Sequence, residues 1–433
     1  MSVDVVVVGA GPAGLSAAIE LRRLGVGPVL VADREAAAGG VPRHSWHTGY
    51  GLRDLRRVMT GPAYARALAG AALAAGAELR LGTTVTGVMA GGAAASGAGP
   101  GDGPTAVTMT SASGVETVRA AAVLLATGCR ERPRAARLVP GDRPAGVMTT
   151  GELQQRVYLG GERLPGRAVV VGAEHVSFSA AMTLAHAGAR VVALVTEHEH
   201  QQSYAAFRLG AALRWRVPVW TSARILRVTG RGRLAGVEVA DVRTGVARFV
   251  PCEVVVFTGD WIPDHELARL AGLAMDPGTR GPVVDTTLET SAGGVFAAGN
   301  LVHAAETADI AALSGRHAAR HIAARLGAGP LAAGAPGAGA RGAGLPILVE
   351  PPLRWISPNA TASPASRDAP PLGRFVLRSG EFRWPARLEV RQDGRLLHRS
   401  RPVRLVPGRP AHLGAGWLAT VDRAGGPVRV AAG

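Results

Sequence analysis

The sequence contains no lysine, and it has only two cysteines and few aromatic residues among its 433 positions. All 48 basic residues are therefore arginines. They are spread along the chain without a dense block or interleaved aromatics, which argues against nucleic-acid binding. The net charge of +16 fits instead a basic surface that attracts anionic nucleotides or substrates.

The two cysteines, Cys129 and Cys252, lie far apart, and neither belongs to a C-x-x-C pair. The sequence thus gives no support for a disulfide framework, an iron–sulfur cluster or a structural zinc site, and it predicts no metal. A reducing, cytoplasmic setting fits this pattern. No apolar run approaches the ~20 residues of a membrane span, and we expect no signal peptide because the N-terminus enters a strand almost at once.

The chain opens with an apolar strand, predicted at residues 5–8, that runs into the pattern G-x-G-x-x-G. Gly9 permits a tight turn, Gly11 lets a pyrophosphate approach the backbone, and Gly14 lets the next helix lie close to the sheet. The exposed amides at the start of that helix, predicted at 15–24, can hold an anion.

A second strand, predicted at residues 29–33, ends in Asp33, roughly 20 residues beyond the glycines. A carboxylate at this strand end can accept hydrogen bonds from ribose hydroxyls. The complete strand–helix–strand unit predicts dinucleotide binding rather than an ordinary tight turn.

Two later motifs complete a recognisable set. A buried strand ends in Ala-Thr-Gly at 126–128, and a late segment, residues 290–300, ends in Ala-Gly-Asn. With the opening glycines, these motifs resemble the two-dinucleotide-binding flavoproteins of the pyridine nucleotide-disulfide oxidoreductase superfamily. The resemblance implies an α/β fold with two Rossmann-like domains, the second inserted in the first, and FAD as cofactor.

The resemblance also implies which residues hold FAD. They lie in the glycine loop, at strand ends and in the late segment: Gly9, Gly11, Pro12, Ala13, Gly14, Asp33, Arg34, Gly40, Val85, Ala126, Thr127, Gly128, Gly299 and Asn300. Asn300 departs from the family pattern, which usually has Asp, but an amide can still hydrogen-bond a ribityl hydroxyl.

The predicted domain order follows the same resemblance. It consists of an FAD-binding domain at 1–160 and 281–326, a second domain at 161–280, a Pro/Gly/Ala-rich linker at 327–344 and a β-rich appendage at 345–433. The appendage shows no catalytic constellation, so we expect it to serve interaction or oligomerisation.

The second domain binds NAD(P)H in the family, but its glycine pattern is altered here. After Gly172, Glu174 stands in the place of the second glycine and Ser177 in the place of the third. A glutamate beside a pyrophosphate adds bulk and like charge, which weakens NAD(P)H binding. Whether this domain binds NAD(P)H or is retained only for its shape stays open.

Disulfide reductases of this superfamily often carry paired cysteines after the Gly39-Gly40 turn, where this chain has Pro42 and His47. The chemistry that remains is direct hydride transfer between FAD and a small substrate, such as an amino acid, amine or alcohol. Oxidation of such a substrate needs a base for its proton. The candidates lie in loops expected to face the flavin: His44, His47, His303 and Glu306.

The segment at 139–151 more specifically resembles flavoprotein subunits of multi-component dehydrogenases, of the hydrogen cyanide synthase, opine oxidase and sarcosine oxidase type. That likeness implies an oligomer whose partner is a second dehydrogenase or an iron–sulfur subunit. Two alternatives stay open. One is an NAD(P)H-oxidising flavoprotein subunit that feeds a partner dehydrogenase, and the other is a flavin-binding scaffold subunit.

Overall fold

The computed structural model describes residues 2–91, 103–204, 217–304, 306–332, 344–362 and 369–433. Contacts divide the chain into two compact units. The first comprises Met1–Arg43, Thr48–Cys129 and Pro263–Gly433, and the second comprises His44–His47 and Arg130–Ile262. The first unit contains a mixed sheet with parallel central strands, and the second contains a parallel five-stranded sheet, each with helices. The predicted α/β class with two Rossmann-like sheets is therefore confirmed.

The main sheet of the first unit has seven strands. In spatial order they are Glu78–Arg80, Val29–Ala32, Ser2–Val8, Gly114–Leu125, Thr105–Ser111 and Thr84–Met89, with Val295–Ala297 also paired to Gly114–Leu125. The central strand Ser2–Val8 is parallel to both neighbours. Its four consecutive valines, Val5 to Val8, are buried, as expected for a strand covered on both faces.

The helices of the first unit are Pro12–Arg23, Gly61–Ala74, Glu266–Leu270 and Ala308–Arg325, with short 3₁₀ turns at Gly299–Leu301, Pro371–Gly373 and Gly416–Thr420. A further 3₁₀ turn spans Val41–His44, and a two-stranded ribbon joins Thr48–Tyr50 to Met59–Thr60. We call Pro12–Arg23 the opening helix and Ala308–Arg325 the long helix. Among the described residues, no helix combines the length and apolarity that a membrane crossing requires.

The opening helix and the long helix approach each other at backbone distance. A Cβ added to Gly315 of the long helix would lie 2.0 Å from the carbonyl oxygen of Ala13. Only a residue without a side chain fits there, so this contact fixes how the two helices pack.

The C-terminal part of the first unit is β-rich, as predicted. Its strands are Ile347–Val349, Leu353–Ser357, Arg374–Ser379, Arg383–Ala386, Leu388–Gln392, Arg395–Arg399, Val403–Leu405, Ala411–Gly414 and Val428–Ala432. Trp417 stacks on Phe375 in its core, with ring centroids 5.1 Å apart. Asn359 joins this region to the rest of the unit, since its Oδ1 accepts from the amide of Val284 at 2.9 Å.

The second unit holds a five-stranded parallel sheet in the order Val147–Thr149, Val254–Phe257, Gly166–Val171, Ala189–Val195 and Val219–Trp220. An antiparallel sheet follows, made of Ala223–Thr229, Gly236–Asp241 and Ala247–Pro251. The helical segments are Arg134–Arg137, Thr150–Gln154, Gln155–Leu159 and His175–His186. Short strands at Cys129–Glu131 and Trp261–Pro263 mark where the chain passes between units.

The unit boundaries differ from the predicted domain boundaries. The strand Val147–Thr149 pairs with Val254–Phe257, so residues before 161 already belong to the second unit. Residues 263–280 belong to the first unit rather than to the second. Most of the predicted linker at 327–344 lies outside the described residues.

The contact between the two helices gives a stability prediction. Gly315→Ala places a methyl group against a backbone carbonyl that cannot move cheaply, so we expect a loss of about 1–3 kcal/mol and a melting temperature several degrees lower. Gly70→Ala is the matched control, because no heavy atom of the described residues lies within 4 Å of its added Cβ. Gly70 is in a helix interior, so alanine should stabilise by about 0.5–1 kcal/mol. Equal melting temperatures for the two variants would contradict the packing described.

Candidate functional site

At two positions of the opening loop, backbone packing within the protein requires glycine. Gly9 has φ +110°, and a Cβ there would lie 2.5 Å from the carbonyl oxygen of Ala126. A Cβ on Gly14 would lie 1.9 Å from the carbonyl oxygen of Gly9. The loop is therefore pressed between the central strands and the opening helix, as the sequence predicts.

Gly11 differs from these two glycines, because the space beside it is open. No heavy atom of the described residues lies within 4 Å of a Cβ built on Gly11, and its φ of −81° suits any residue. Pro12 then begins the opening helix, whose first internal bond runs from the amide of Leu15 to the carbonyl of Gly11 at 2.9 Å. The first-turn amides at Ala13 and Gly14 precede that bond, so this open space adjoins a helix N-terminus suited to an anion.

The carboxylate of Asp33 ties the end of the second strand to the glycine loop. Its Oδ2 accepts from the amide of Ala10 at 2.6 Å, and its Oδ1 accepts from the amide of Glu35 at 2.8 Å. Each carboxylate oxygen has a further lone pair, so both can still accept from a hydroxyl. Asp33 thus combines a structural contact with the capacity to bind ribose.

Gly40, another residue predicted to hold FAD, packs against the glycine loop. It has φ +61°, and a Cβ there would lie 3.0 Å from Cα of Gly11. The amide of Gly39 donates to the carbonyl of Ala10 at 2.7 Å, which holds this turn in place. Val85 is buried on the strand Thr84–Met89, at the far edge of the main sheet.

Asp264 connects the Ala-Thr-Gly strand end to the residue after Asp33. Its carbonyl accepts from Oγ1 of Thr127 at 2.7 Å, and its amide donates to the carbonyl of Gly128 at 2.9 Å. Its carboxylate lies 3.6 Å from the guanidinium of Arg34, whose side chain is largely exposed. The predicted strand-end residues thus surround one loop region of the first unit.

The late motif reaches the opening helix. Gly299 has φ +70°, and a Cβ there would lie 2.8 Å from Cβ of Ala13. The side chain of Asn300 closes the following loop, since its Nδ2 donates to the carbonyl of Glu306 at 3.2 Å and its Oδ1 accepts from the amide of Glu306 at 3.0 Å. Ionised aspartate could accept but not donate, which accounts for asparagine at this position.

His303 and Glu306 lie together at a cavity of about 40 Å³ that the C-terminal strands help to form. We call it the histidine–arginine pocket, lined by His303, Glu306, Arg374 and His412 among others. Behind it, Oε1 of Glu306 lies 3.5 Å from Nη2 of Arg378, and both side chains are 7% exposed. The C-terminal strands thus contribute charged side chains to a cavity, while the expectation that they carry no catalytic constellation stays a prediction.

Burial and nearby guanidiniums control protonation in this pocket. Burial, then Arg378 and His412, lower the pKa of His303 to about 3. Burial, then Arg374 and Arg378, lower the pKa of His412 to about 4. Burial raises the pKa of Glu306, although Arg378 and Arg374 oppose the rise. Both imidazoles are therefore neutral near pH 7.

His44 and His47 belong to a different unit from His303 and Glu306. The segment His44–His47 packs with the second unit, where Trp46 stacks on Tyr158 with centroids 5.2 Å apart. The four candidate bases are thus not brought together in one unit. The sequence predicts both histidines beside the flavin because they follow a cofactor loop, and this stays a prediction, since membership of the second unit does not fix their distance from that loop.

In the second unit, the carboxylate of Glu174 folds into its own glycine loop. Its Oε2 accepts from the amide of Ala173 at 3.0 Å, and its Oε1 accepts from Oγ1 of Thr258 at 2.6 Å. A Cβ on Gly259 would lie 2.3 Å from Oε1, so the carboxylate also lies close to that turn. A loop amide and a hydroxyl at the strand end are therefore already bound to an internal anion.

Two further charged residues near this loop have no simple sequence signal. Glu131 is buried and accepts from the amide of Gly151 at 2.8 Å, and burial raises its pKa to about 7. Arg137 donates to the carbonyls of Thr258 and Gly259, each at 2.8 Å. The region therefore brings the carboxylates of Glu131 and Glu174 near the guanidinium of Arg137.

Sequence reasoning also missed the arginines of the histidine–arginine pocket. Arg374 and Arg378 are four residues apart on the strand Arg374–Ser379, so both project from the same face. Two arginines on one face of an otherwise apolar strand are the only local signal for the pocket. Their partners His303 and Glu306 lie about seventy positions earlier, beyond any local pattern.

Comparisons with known proteins agree with this architecture. The family model described as pyridine nucleotide-disulphide oxidoreductase matches residues 3–315. Hydrogen cyanide synthase subunit HcnB of Pseudomonas aeruginosa is 28% identical over 62% of this chain, and an opine oxidase subunit of Agrobacterium tumefaciens is 27% identical over 73%. The chain spans 54% and 64% of the length of these two relatives.

The solved structure of Lactococcus lactis thioredoxin reductase shares the fold, with a TM-score of 0.61 and 17% identity over 74% of this chain and 97% of that one. Identity at this level shows the fold alone. The family match, in contrast, covers more than two thirds of the chain. The chain therefore belongs to the pyridine nucleotide-disulphide oxidoreductase family, which confirms the predicted FAD cofactor and the oxidoreductase class.

Proposed function

We propose that this oxidoreductase transfers hydride between FAD and a small organic substrate, such as an amino acid, an amine or an alcohol, without a redox disulfide. FAD supplies the hydride-accepting chemistry, and the protein supplies binding and orientation. The observation that carries the proposal is the open space beside Gly11. At Gly9 and Gly14, in contrast, the protein's own backbone occupies the space that a Cβ would need. The residues proposed to hold FAD are Gly9, Gly11, Pro12, Ala13, Gly14, Asp33, Arg34, Gly40, Val85, Ala126, Thr127, Gly128, Gly299 and Asn300.

A thiol relay has no support in this chain. Cys252 is buried, and burial raises the pKa of its thiol to about 12, so it remains protonated and unreactive. Cys129 is the only other cysteine. This usage also fits the reducing, cytoplasmic setting expected from the sequence.

Among the four candidate bases, the structure favours His303. Oxidation of an amine or alcohol removes hydride from carbon and a proton from nitrogen or oxygen, leaving an imine or a carbonyl. His303 is neutral near pH 7, so one of its ring nitrogens carries no proton and can accept one, although a pKa of about 3 makes it a weak base. Glu306 is already paired with Arg378, and His44 and His47 pack with the other unit.

The internal contacts of Glu174 argue against NAD(P)H as the electron donor. The amide of Ala173 and the hydroxyl of Thr258 would have to give up this carboxylate before they met a pyrophosphate. A second anion in contact with Glu174 would also be repelled. We therefore rank the NAD(P)H-oxidising alternative second.

A partner subunit is the further part of this proposal. Both relatives are named as subunits, of hydrogen cyanide synthase and of opine oxidase. A second dehydrogenase or iron–sulfur subunit would give the electrons from reduced flavin a way out. The scaffold alternative requires the same partner but no turnover by this chain.

The Gly11→Ser variant tests whether the opening glycine loop binds FAD. Serine is favourable at a helix N-cap, so the FAD-free protein should melt at the same temperature or slightly higher. Its side chain would fill the open space, so FAD affinity should fall about ten- to a hundredfold. Equilibrium titration with FAD measures this change. The control Gly416→Ser also enters open space, but far from the loop in sequence, and should leave FAD affinity unchanged.

An unchanged FAD affinity in Gly11→Ser, with a normal melting temperature, would contradict the assignment of this loop to FAD. Gly14→Ala is not a substitute for this test. Its methyl group would clash with the carbonyl of Gly9 and lower stability by itself.

The second prediction concerns Glu174→Gly. Removing the internal anion should strengthen NADH binding about tenfold or more, because like charges in contact cost on the order of several kcal/mol. Equilibrium titration with NADH and with NADPH measures the gain. Glu174→Gln keeps the size and removes the charge, so it separates repulsion from bulk. Glu199→Gly, at an exposed acid of the same unit, is the control and should bind as the wild type does. No gain in either Glu174 variant would show that Glu174 is not the obstacle.

A further inference from the structure

The histidine–arginine pocket joins two stretches of the first unit that are distant in sequence. Gly299, Val302, His303 and Glu306 form one side, and the strands beginning at Arg374 and Ala411 form the other. Its volume of about 40 Å³ holds a group the size of a few waters or of one carboxylate. Gly299 borders the pocket and also belongs to the late motif proposed for FAD.

Among the described residues, the charges around the pocket leave an excess of one positive charge. Glu306 balances Arg378, with which it forms the 3.5 Å ion pair. Arg53 and Asp309, which also act on Glu306, form an ion pair with each other at 3.7 Å. The guanidinium of Arg374 remains, beside two imidazoles that burial keeps neutral.

Two buried polar atoms at the pocket make no hydrogen bond in the described part of the chain. They are Nδ1 of His303 and Oε1 of Glu306, but the Glu306 oxygen has an ion-pair partner in Arg378 at 3.5 Å, so of the two Nδ1 of His303 alone is left without a partner among the described residues. Buried polar atoms are nearly always hydrogen-bonded, so atoms left without a partner indicate a ligand or ordered water. A neutral imidazole can donate one N–H, which matches an acceptor rather than a cation.

We propose that the histidine–arginine pocket binds a small carboxylate and that Arg374 is its principal cation. A guanidinium pairs with a carboxylate through two parallel hydrogen bonds, which gives orientation as well as affinity. The remaining lining includes Leu288, Val302 and Ile310, which suit a short alkyl or hydrogen substituent. A phosphate dianion is disfavoured, because Glu306 would repel the second charge.

The carboxylate has two sources with the same chemistry. It belongs either to the substrate of the hydride transfer, an amino or hydroxy acid, or to a free carboxylate that regulates the enzyme. The first source rests on the proposed function, because the pocket then orients the substrate beside the late motif. In that case Arg374 sets the substrate class, and the C-terminal strands form part of the substrate site.

Calorimetric titration of the full chain with acetate, with FAD bound and after FAD removal, tests the proposal. Acetate should bind, and acetamide, its neutral counterpart of equal size, should not. Arg374→Gln should weaken acetate binding about tenfold or more. Arg395→Gln, an exposed arginine of the same C-terminal region, should leave it unchanged. Equal binding of acetamide and acetate, or unchanged binding in Arg374→Gln, would overturn the proposal.

A kinetic experiment distinguishes the two sources. Amino and hydroxy acids that bleach the flavin should compete with acetate, and Arg374→Gln should raise KM with little change in kcat if the substrate carboxylate lies here. Acetate that binds without competing identifies a free, regulatory carboxylate. If the chain binds no FAD, the proposed function fails, yet the titration of the FAD-free protein still decides whether the pocket exists.

Discussion

The packing of the first unit depends on a close contact between two helices, in which no side chain separates the two backbones. Ala13 of the opening helix meets Gly315 of the long helix, and its methyl group meets Gly299 of the late motif. The next residue, Gly14, lies against the carbonyl of Gly9. These contacts draw residues almost 300 positions apart around one loop, and the open space at Gly11 exists because its neighbours are so tightly held. Larger residues at these glycines would separate the motifs that surround the loop.

The sequence predicts this part of the molecule well because its signals are local. Runs of valine mark buried parallel strands, and the glycine spacing reports on a turn and a helix start. Asn300 is different, since its departure from the family pattern makes sense only when its amide is seen to bond both backbone groups of Glu306. The histidine–arginine pocket lay beyond prediction because His303, Arg374 and His412 meet only through the tertiary fold.

The two glycine loops differ in the position of their acidic residue. In the first unit, the acid Asp33 stands beside the loop and leaves the space at Gly11 open. In the second, Glu174 lies within the loop and takes its amide and hydroxyl donors. The same strand–helix–strand architecture therefore leaves the space beside its loop open in one unit and places an internal carboxylate in the loop of the other. The placement of His44–His47 in the second unit likewise shows that a loop's position in sequence does not fix the unit with which it packs.

The most direct test of this account is the visible absorption spectrum of the purified chain, reconstituted with FAD and then titrated with NADH without oxygen. The account predicts a bound flavin whose spectrum stays oxidised, because the first unit holds FAD and Glu174 closes the second loop. Absence of bound flavin after reconstitution would contradict the central claim. Flavin that bleaches on addition of NADH would show that the second unit delivers hydride despite Glu174.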